Sequence, residues 1–337
     1  METARTSSHQ SEVAPVVNIP LLRRLRDAQG AFVSPAELGE DLAGVQGDVD
    51  ELRRFGFAIE EHPYGGFTYR APAARLCPDQ IEFELRTRLV GRRIAVWNRV
   101  GSTNDVAAHG AGSIANEGLV VLAEEQTAGR GRRGRAWSAP AGSSLLMSVL
   151  LFPPEPTADP GWLTALAALA VVDVVAAWSG RDARIKWPND VRVDGRKIAG
   201  ILVERGPGAV VGIGLNVNIS HDQFPEELRD SATSLCILTG GRSDRSELAR
   251  ALIERIDAWY DIGRTHGPQA LTPRWRETSE HRGQTVEVST TTGTVRGRLD
   301  DLDLLYGLTL SGDASTRRHV PGREVLAITT LADNDPT

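Results

Sequence analysis

Strand-like apolar runs alternate with helix-like stretches between residues 92 and 220, and this alternation limits the fold more than any other feature of the chain. The strand-like runs are RRIAVWNRV, LVVLAEE, SLLMSVLLF, KIAGILVE and AVVGIGLNVNIS, and residues 102–110 and 160–180 have helical patterns. The longest apolar stretch, residues 162–178, is short for a membrane span and contains Asp173, so it predicts a buried core helix. The pattern predicts an α/β core built on a mixed sheet and no association with a membrane.

Residues 18–75 predict a small separate domain of three helices and a hairpin. One helix ends near Gly30, a second begins at Pro35, and GDVDELRRFG supplies a third before a hairpin that turns at Gly65-Gly66. This arrangement is that of a winged helix-turn-helix. Residues 17–75 carry nine acidic side chains against seven arginines, however, and the third helix begins with acidic residues. Acidic charge suits an approach to phosphates poorly. Both a structural winged helix and a DNA reader remain open, and the charge argues against specific DNA binding.

The remaining segments and the composition complete the predicted layout. The first residues are polar and predict a disordered tail, and the chain's last part shows short strands separated by glycine turns, as in a small β-barrel. The formal net charge of −6 argues against a protein that coats nucleic acid along its whole surface. The two cysteines, Cys77 and Cys236, are too few for a disulfide framework or a four-ligand zinc site, which favours a cytoplasmic location. The predicted fold class is α+β, with a tail over residues 1–17, a winged-helix-like domain over 18–75, the mixed-sheet domain over 85–277 and the barrel over 282–330.

Only two lysines occur in the chain, Lys186 and Lys197, and both lie in the segment KWPNDVRVDGRKIAGILVE. A codon bias towards arginine explains the scarcity of lysine but not why both lysines share one segment. Lysine presents a compact ammonium on a flexible stem, which arginine cannot do. Pro188 favours an extended chain before it, and Asp194-Gly195 predicts a hairpin that returns Lys197 towards Lys186. We therefore predict that the two lysines meet at one cleft; the alternative is that both are strand-edge surface residues.

The segment QTAGRGRRGRAW, residues 126–137, places four arginines among glycines in an otherwise acidic chain. Its formal match to G-x-G-x-x-G is rejected, because that motif opens a helix, whereas another strand follows here. No Gly-Lys-Ser/Thr follows either, so it is not a Walker A loop. Two interpretations remain, a loop that closes over a phosphate or carboxylate and a solvated basic turn. The lysine segment favours the first.

Two shorter elements also have the residue types of a ligand site. GIGLNVN, residues 212–218, places glycines and amides at the end of an apolar strand, where a ring can pack against the backbone. Ser102-Thr103-Asn104 predicts a helix N-cap whose short polar side chains can also hold a small ligand. Taken alone, each element is better explained by ordinary structure, the first as a buried strand and turn and the second as a cap.

Together, four segments in this order resemble the biotin protein ligases: GSTND at 101–105, EEQTAGRGRRGRAWSAPAGSSLLMSVLL at 124–151, KWPNDVRVDGRKIAGILVE at 186–204, and GIGLNVN at 212–218. The resemblance implies a catalytic domain over residues 85–277 that makes biotinyl-5′-AMP from biotin and ATP, with Mg²⁺ accompanying the nucleotide. It then implies transfer of biotin to a lysine of a biotin carboxyl carrier domain. In this family an amino-terminal winged helix can repress biotin-synthesis genes, but the stretch before Phe55-Gly56 is shorter here than the family pattern, which argues against repression. A homodimer, a second role as a biotin-responsive repressor and lipoate-type acyl ligation stay open as alternatives.

The resemblance also assigns roles to residues of this chain. The catalytic residues are expected to be Arg132, Lys197, Lys186 and Asp190. Biotin is expected to contact Ser102, Thr103, Asn104, Gln126, Gly129, Arg130, Gly131, Arg132, Lys197 and Gly200. The nucleotide is expected to contact Arg132, Arg135, Trp137, Lys186, Asn189, Gly214 and Asn216. The sequence predicts no metal cluster, so magnesium is expected to be held by the nucleotide and water.

Overall fold

The computed structural model describes residues 17–38, 41–63, 65–155, 157–303, 306–312 and 317–331. Apart from Val17, the predicted tail lies outside the described residues. The chain divides into two compact units, Met1–Phe83 and Glu84–Thr337. The first unit therefore extends past residue 75, and the second contains the mixed sheet together with the carboxyl-terminal strands.

The first unit contains the predicted hairpin, two of the three predicted helices and a short helix, α3, that the sequence did not predict. Its elements are α1 (Ile19–Asp27), α2 (Leu42–Phe55), β1 (Ala58–Glu61), β2 (Phe67–Ala71) and α3 (Pro78–Glu82). The helix predicted from Pro35 is only a 3₁₀ turn, Pro35–Leu38, although Ser34 and Glu37 form the predicted capping contacts. Asp41 is the N-cap of α2: its side chain accepts a hydrogen bond from the backbone N–H of Gly44 at 2.8 Å, and the helix begins at the next residue. Because of this cap, α2 starts earlier in the chain than Gly47, the first residue of the segment GDVDELRRFG that was predicted to form the helix.

Seven strands form the predicted mixed sheet of the second unit. They are β3 (Arg93–Val100), β4 (Leu119–Gln126), β5 (Ser144–Leu151), β6 (Ala183–Lys186), β7 (Asp190–Val193), β8 (Arg196–Arg205) and β9 (Ala209–Asn216), and their order is β3-β4-β5-β9-β8-β7-β6. β3 and β4 are parallel, and the other neighbouring pairs are antiparallel. The predicted hairpin is confirmed: Asp194 and Gly195 both have positive φ, 50° and 74°, and Lys197 lies opposite Arg192.

In the part of the second unit that the structure describes, the α-helices beside this sheet are α4 (Thr103–His109), α5 (Pro160–Ser179), α6 (Leu235–Thr239), α7 (Arg245–His266) and α8 (Thr272–Thr278). Among the described residues, α5 alone is long and apolar enough to cross a membrane, but 67% of its apolar window is buried inside the protein. Its Asp173 accepts a hydrogen bond from Trp259 and pairs with Arg274 at 3.1 Å. These contacts account for the charge within an apolar helix, and α5 is the buried core helix that the sequence predicts.

The carboxyl-terminal strands form an antiparallel sheet at the position of the predicted barrel. The strands are β10 (Thr285–Thr290), β11 (Gly293–Asp303), β12 (Gly307–Ser311), β13 (Arg317–Val320) and β14 (Val325–Thr330), in the order β13-β12-β11-β10-β14. The segment before β10 lies along the edge of the mixed sheet, where Glu280 donates its backbone N–H to Ile185 at 2.9 Å. The fold class is thus α+β, as predicted.

His281 lies buried where this segment meets β14, and it makes the stability of the second unit depend on pH. The residue is 1% exposed and its Nδ1 lies 3.1 Å from the hydroxyl of Thr330. Burial, together with the nearby charges of Lys186 and Arg192, lowers the pKa of His281 to about 4. Because the unfolded histidine has a pKa of about 6.5, the unfolded chain binds more protons between these values, so stability is lost as the pH falls below 6.5.

We expect His281 to make the folded protein less stable at pH 5 than at pH 7 by on the order of 2 kcal/mol. The substitution His281→Gln keeps a hydrogen-bonding group beside Thr330 but does not titrate, so it should reduce this pH dependence. Urea unfolding of both proteins at the two pH values measures the difference. An equal loss of stability in the variant and the wild type would contradict the assignment.

Candidate functional site

Residues from all four predicted segments line one cavity of about 140 Å³ over the mixed sheet, where α4 meets β8 and β9. The predicted site residues that line it are Ser102, Thr103, Asn104, Gln126, Arg130, Gly131, Arg132, Arg135, Trp137, Asn189, Asp190, Lys197, Gly200 and Gly214. Segments as far apart in sequence as residues 102 and 214 thus meet because β4, β8 and β9 lie in one sheet and α4 packs on it. Convergence of these four segments on one cavity is what the sequence led us to expect.

A hydrogen-bonded group of small polar side chains forms one end of the cavity. The backbone N–H and hydroxyl of Thr103 donate to Gln126 Oε1 at 2.7 and 2.9 Å. The hydroxyl of Ser148 lies 2.7 Å from Thr103 Oγ1 and 2.6 Å from Asn104 Oδ1. Ser102 occupies the N-cap position of α4, but its side chain makes no capping hydrogen bond and lines the cavity instead. This end offers both donors and acceptors to a polar ligand group.

Glycines of β8 and β9 form a flat surface on which an aromatic ring lies. A Cβ at Gly214 would lie 2.4 Å from Trp137 Cε2, and a Cβ at Gly200 would lie 3.0 Å from Trp137 Cζ3. At Gly212 it would lie 2.3 Å from Asn104 Oδ1. The sequence indicated that the glycines of residues 212–218 can admit a ring, and in this structure the indole of Trp137 lies against Gly214 and Gly200.

The glycine-arginine loop, residues 127–137, is a tight hairpin beside this surface. Gly131 donates to the carbonyl of Arg135 at 2.7 Å, and Trp137 donates to the carbonyl of Gly129 at 2.9 Å. A 3₁₀ turn from Arg132 to Gly134 closes the hairpin, with Arg133 at a φ of 58°. Three of the four loop arginines, at positions 130, 132 and 135, line the cavity, whereas Arg133 donates to the carbonyl of Leu326 at 2.6 Å.

Two cationic side chains differ in how the cavity holds them. The Lys197 ammonium pairs with Asp190 at 2.8 Å and lies 5.4 Å from the centre of the Trp137 ring. Burial lowers the pKa of the Arg132 guanidinium from its usual value, but a guanidinium stays charged in proteins. A point charge on Lys197 and a planar, forked charge on Arg132 thus both face the cavity.

Three predicted site residues do not line the cavity. Lys186 lies on the edge strand β6, opposite Asp190 and beside His281, so one lysine of the pair faces the cavity. Asn216 is buried, and its side-chain amide donates to the carbonyl of Thr233 at 3.0 Å. Gly129 lies against the backbone of Trp137, where a Cβ would lie 2.4 Å from the Trp137 carbonyl oxygen. Their roles towards a ligand stay predictions.

A second, wider cavity of about 670 Å³ adjoins the first, because Arg132 and Leu202 line both. Trp187 and Trp275 also line it, together with Val325 at the start of β14 and Arg323 in the turn before that strand. The sequence did not indicate this cavity, because it forms between elements that are far apart in the chain. The two cavities together offer room for an extended ligand that passes Arg132.

The sequence also missed Ser148, Asp105 and Glu204. Ser148 interrupts the apolar residues that follow Ser144 in the buried run SLLMSVLL, and a polar residue in that position is a signal for it. Asp105 and Glu204 both pair with Arg130, at 2.7 and 3.0 Å. They lie within the quoted motifs, but nothing in the local sequence connects them to the loop.

Comparison with known proteins places this site in a family. Residues 96–219 match the model of the biotin/lipoate A/B protein ligase family. The bifunctional ligase/repressor BirA of Bacillus spizizenii is 32% identical over 293 residues, which cover 84% of this chain and 90% of that protein. The biotin–[acetyl-CoA-carboxylase] ligase of Mycobacterium tuberculosis is 40% identical over 225 residues, 64% of this chain and 83% of that protein.

Among solved structures, the biotin protein ligase of Aquifex aeolicus in complex with biotin and ATP is similar, with a TM-score of 0.63 and 26% identity. The match covers 71% of this chain and all of that one. The chain therefore belongs to the biotin/lipoate A/B protein ligase family. Within that family it is a biotin protein ligase, as the four motifs predict.

Proposed function

We propose that this protein is an ATP-dependent ligase that activates biotin as biotinyl-5′-AMP and transfers it to one lysine of a biotin carboxyl carrier domain. The observation that carries the proposal is the single cavity in which a polar end, a glycine surface and the cations Lys197 and Arg132 meet. The similar Aquifex protein was solved with biotin and ATP. Biotin and ATP are accordingly the substrates that we assign.

In the first half-reaction a biotin carboxylate oxygen attacks the α-phosphorus of ATP and pyrophosphate leaves. Both reactants are anions, so the reaction needs cations that screen them and stabilise charge on the transferring group. Lys197 and Arg132 face the same cavity and supply that charge. The polar end, with Thr103, Asn104 and Gln126, then binds the ureido head of biotin.

Magnesium accompanies the ATP phosphates in this proposal. Among the described residues no group of three or more His, Cys, Asp or Glu side chains could hold a metal ion. Asp190, the carboxylate at the cavity, already pairs with Lys197. Mg²⁺ keeps water ligands and binds phosphates readily, so the nucleotide is expected to hold it.

In the second half-reaction the amine of the carrier lysine attacks the acyl carbon of the mixed anhydride, and AMP leaves. The sequence suggested that Asp190 accepts a proton from that amine or orients it. Asp190 also has a second role in this proposal: its ion pair with Lys197 holds the Lys197 ammonium at the cavity. The carrier belongs to a biotin-dependent carboxylase, in agreement with the name of the Mycobacterium relative. The two free cysteines are consistent with a cytoplasmic location.

The repressor function of the Bacillus relative is not part of the proposal. In the first unit Arg53 pairs with Asp50 and Glu61, and Arg70 pairs with Glu60. Arginines that are already paired with carboxylates offer little to phosphates. We expect no specific, biotin-dependent band in a gel shift at low salt with the DNA upstream of the protein's own gene; a tight, biotin-dependent complex would overturn this.

Two assays test the proposed activation step. A ligand that binds only the folded protein raises the thermal midpoint, so biotin should raise it and lipoate should not. Biotin should also stimulate exchange of labelled pyrophosphate into ATP, which reports the reversible first half-reaction. A thermal response to lipoate together with lipoate-dependent exchange would favour lipoate-type ligation instead.

A further inference from the structure

The polar end of the cavity contains more short oxygen–oxygen contacts than hydroxyl protons to fill them. Thr103 Oγ1 lies 2.9 Å from Gln126 Oε1 and 2.7 Å from Ser148 Oγ. Ser148 Oγ in turn lies 2.6 Å from Asn104 Oδ1. These are the distances of O–H···O hydrogen bonds, each of which needs one proton. The two hydroxyls, of Thr103 and Ser148, supply one proton each, so two protons serve three contacts.

The orientation of the two amides in this group follows from their other partners. The backbone N–H of Thr103 donates to Gln126 at 2.7 Å, so the amide oxygen of Gln126 faces Thr103. The amide nitrogen of Asn104 lies 2.7 Å from a carboxylate oxygen of Glu204, which is an acceptor, so the amide oxygen of Asn104 faces Ser148. Neither amide can turn to supply the missing proton without losing one of these hydrogen bonds.

A group in the cavity can supply the missing proton. Among the described residues, no further donor reaches Thr103 Oγ1, Ser148 Oγ or Asn104 Oδ1. Ser148 is fully buried and does not line the cavity, whereas Thr103 and Gln126 do. The contact between Thr103 and Gln126 is therefore where a ligand can donate to this group.

A ligand N–H at that contact completes the hydrogen bonding of the group. The N–H donates to the oxygens of Thr103 and Gln126, the Thr103 hydroxyl turns to Ser148, and the Ser148 hydroxyl donates to Asn104. Every short contact then has a proton. A ligand oxygen in the same place brings another acceptor and no proton, so two acceptors stay in contact without one, and unsatisfied buried acceptors weaken binding.

We propose that Ser148 is a positioning residue that determines specificity through Thr103: its hydroxyl leaves the polar end one proton short and thereby selects a ligand that donates an N–H. The inference rests on the proposed function, in which the donor is a ureido N–H of biotin. In the variant Ser148→Ala one contact remains, between Thr103 and Gln126, and the Thr103 hydroxyl fills it. An N–H donor then loses its advantage over an oxygen.

Calorimetric binding of biotin and of two analogues of the same shape tests the proposal. The analogues are cyclic carbamates, in which an oxygen replaces one or the other ureido N–H. The wild type should bind biotin roughly 10- to 100-fold more tightly than one of the carbamates. Ser148→Ala should bind biotin about tenfold more weakly and that carbamate no more weakly, so the ratio of the two dissociation constants should fall about tenfold. A merely structural role would weaken both ligands alike, and an unchanged ratio would overturn the proposal.

Ser144 supplies a matched control on the same strand, β5. It is 1% exposed, and its hydroxyl has no hydrogen-bond partner among the described residues. Ser144→Ala should therefore leave the ratio unchanged. Thr103→Val removes the hydroxyl through which Ser148 acts, so in that background Ser148→Ala should change the ratio no further. A further fall of the ratio there would count against the proposed route through Thr103.

Further outcomes separate this proposal from the proposed function and from a failure to fold. Thermal midpoints report folding, and if Ser148→Ala does not fold, Ser148→Cys takes its place, because a thiol is a weak donor and should lower the ratio in the same direction. A wild type that binds biotin and both carbamates equally well would refute this proposal alone. A wild type that binds none of the three ligands would refute the proposed function and this proposal together.

Discussion

Replacing Lys197 with arginine is expected to slow biotin-dependent pyrophosphate exchange roughly 100-fold or more, the range seen when one group that stabilises developing charge is removed. The ammonium lies between Asp190, at 2.8 Å, and the Trp137 ring. A guanidinium is wider and planar, and it cannot place a compact charge in that space. The fold should persist, because Lys197 lies at the surface of the cavity with a third of its side chain exposed.

The neighbouring residue supplies a matched control for this variant. Arg196 precedes Lys197 on β8 and does not line the cavity. The variant Arg196→Lys replaces an arginine with a lysine there, the reverse of Lys197→Arg. It should retain near-normal exchange and an unchanged thermal midpoint. If Lys197→Arg also kept near-normal exchange, Lys197 would not have the role that we assign to it.

The substitution Gly214→Ala is expected to lower kcat/KM for adenylation roughly 100-fold, because a misplacement of about 1 Å at a reacting centre can cost that much. The new methyl group would lie 2.4 Å from Trp137 Cε2 and 2.8 Å from Trp137 Nε1. The strand is buried between β5 and β8, so the indole must move. Overpacking of this kind also costs about 1–3 kcal/mol of stability, which urea unfolding measures.

Two further variants separate the clash from a general effect of alanine. Gly241→Ala adds a methyl group where nothing lies within 4 Å and should change neither activity nor stability. In the background Trp137→Ala there is no indole to displace, so adding Gly214→Ala there should cost little further stability. Normal kinetics in the single variant Gly214→Ala would contradict the packing of the indole on the glycine surface.

The elements of the mixed sheet were accessible from sequence because their signals are local. Apolar runs of strand length gave β3, β4, β5, β8 and β9, and Asp194-Gly195 gave the hairpin that carries Lys197. The residues that line the cavity all lie within the four motifs. The carboxyl-terminal strands were likewise indicated by glycine turns, but their order in the sheet was not, because strand pairing is long-range.

What the sequence did not reveal depends on long-range contacts or on competition between local signals. The pairing of Arg130 with Glu204 joins residues 74 positions apart, and no spacing rule connects them. The two lysines were predicted to meet at one cleft, yet Lys186 lies on the edge strand β6, opposite Asp190 and outside the cavity lining. At Pro35 a correct capping signal produced only a 3₁₀ turn, because Asp41 caps the next helix.

Transfer of biotin to a carrier domain is the measurement that tests the proposed function most directly. The protein is incubated with ATP, biotin and a biotin carboxyl carrier domain, and the carrier is examined by streptavidin blotting and intact mass. We predict one added biotinyl group, which requires ATP and is lost when the acceptor lysine of the carrier is replaced by alanine. A carrier that remains unmodified, with wild-type protein that is folded and supplied with both substrates, would contradict the proposed function.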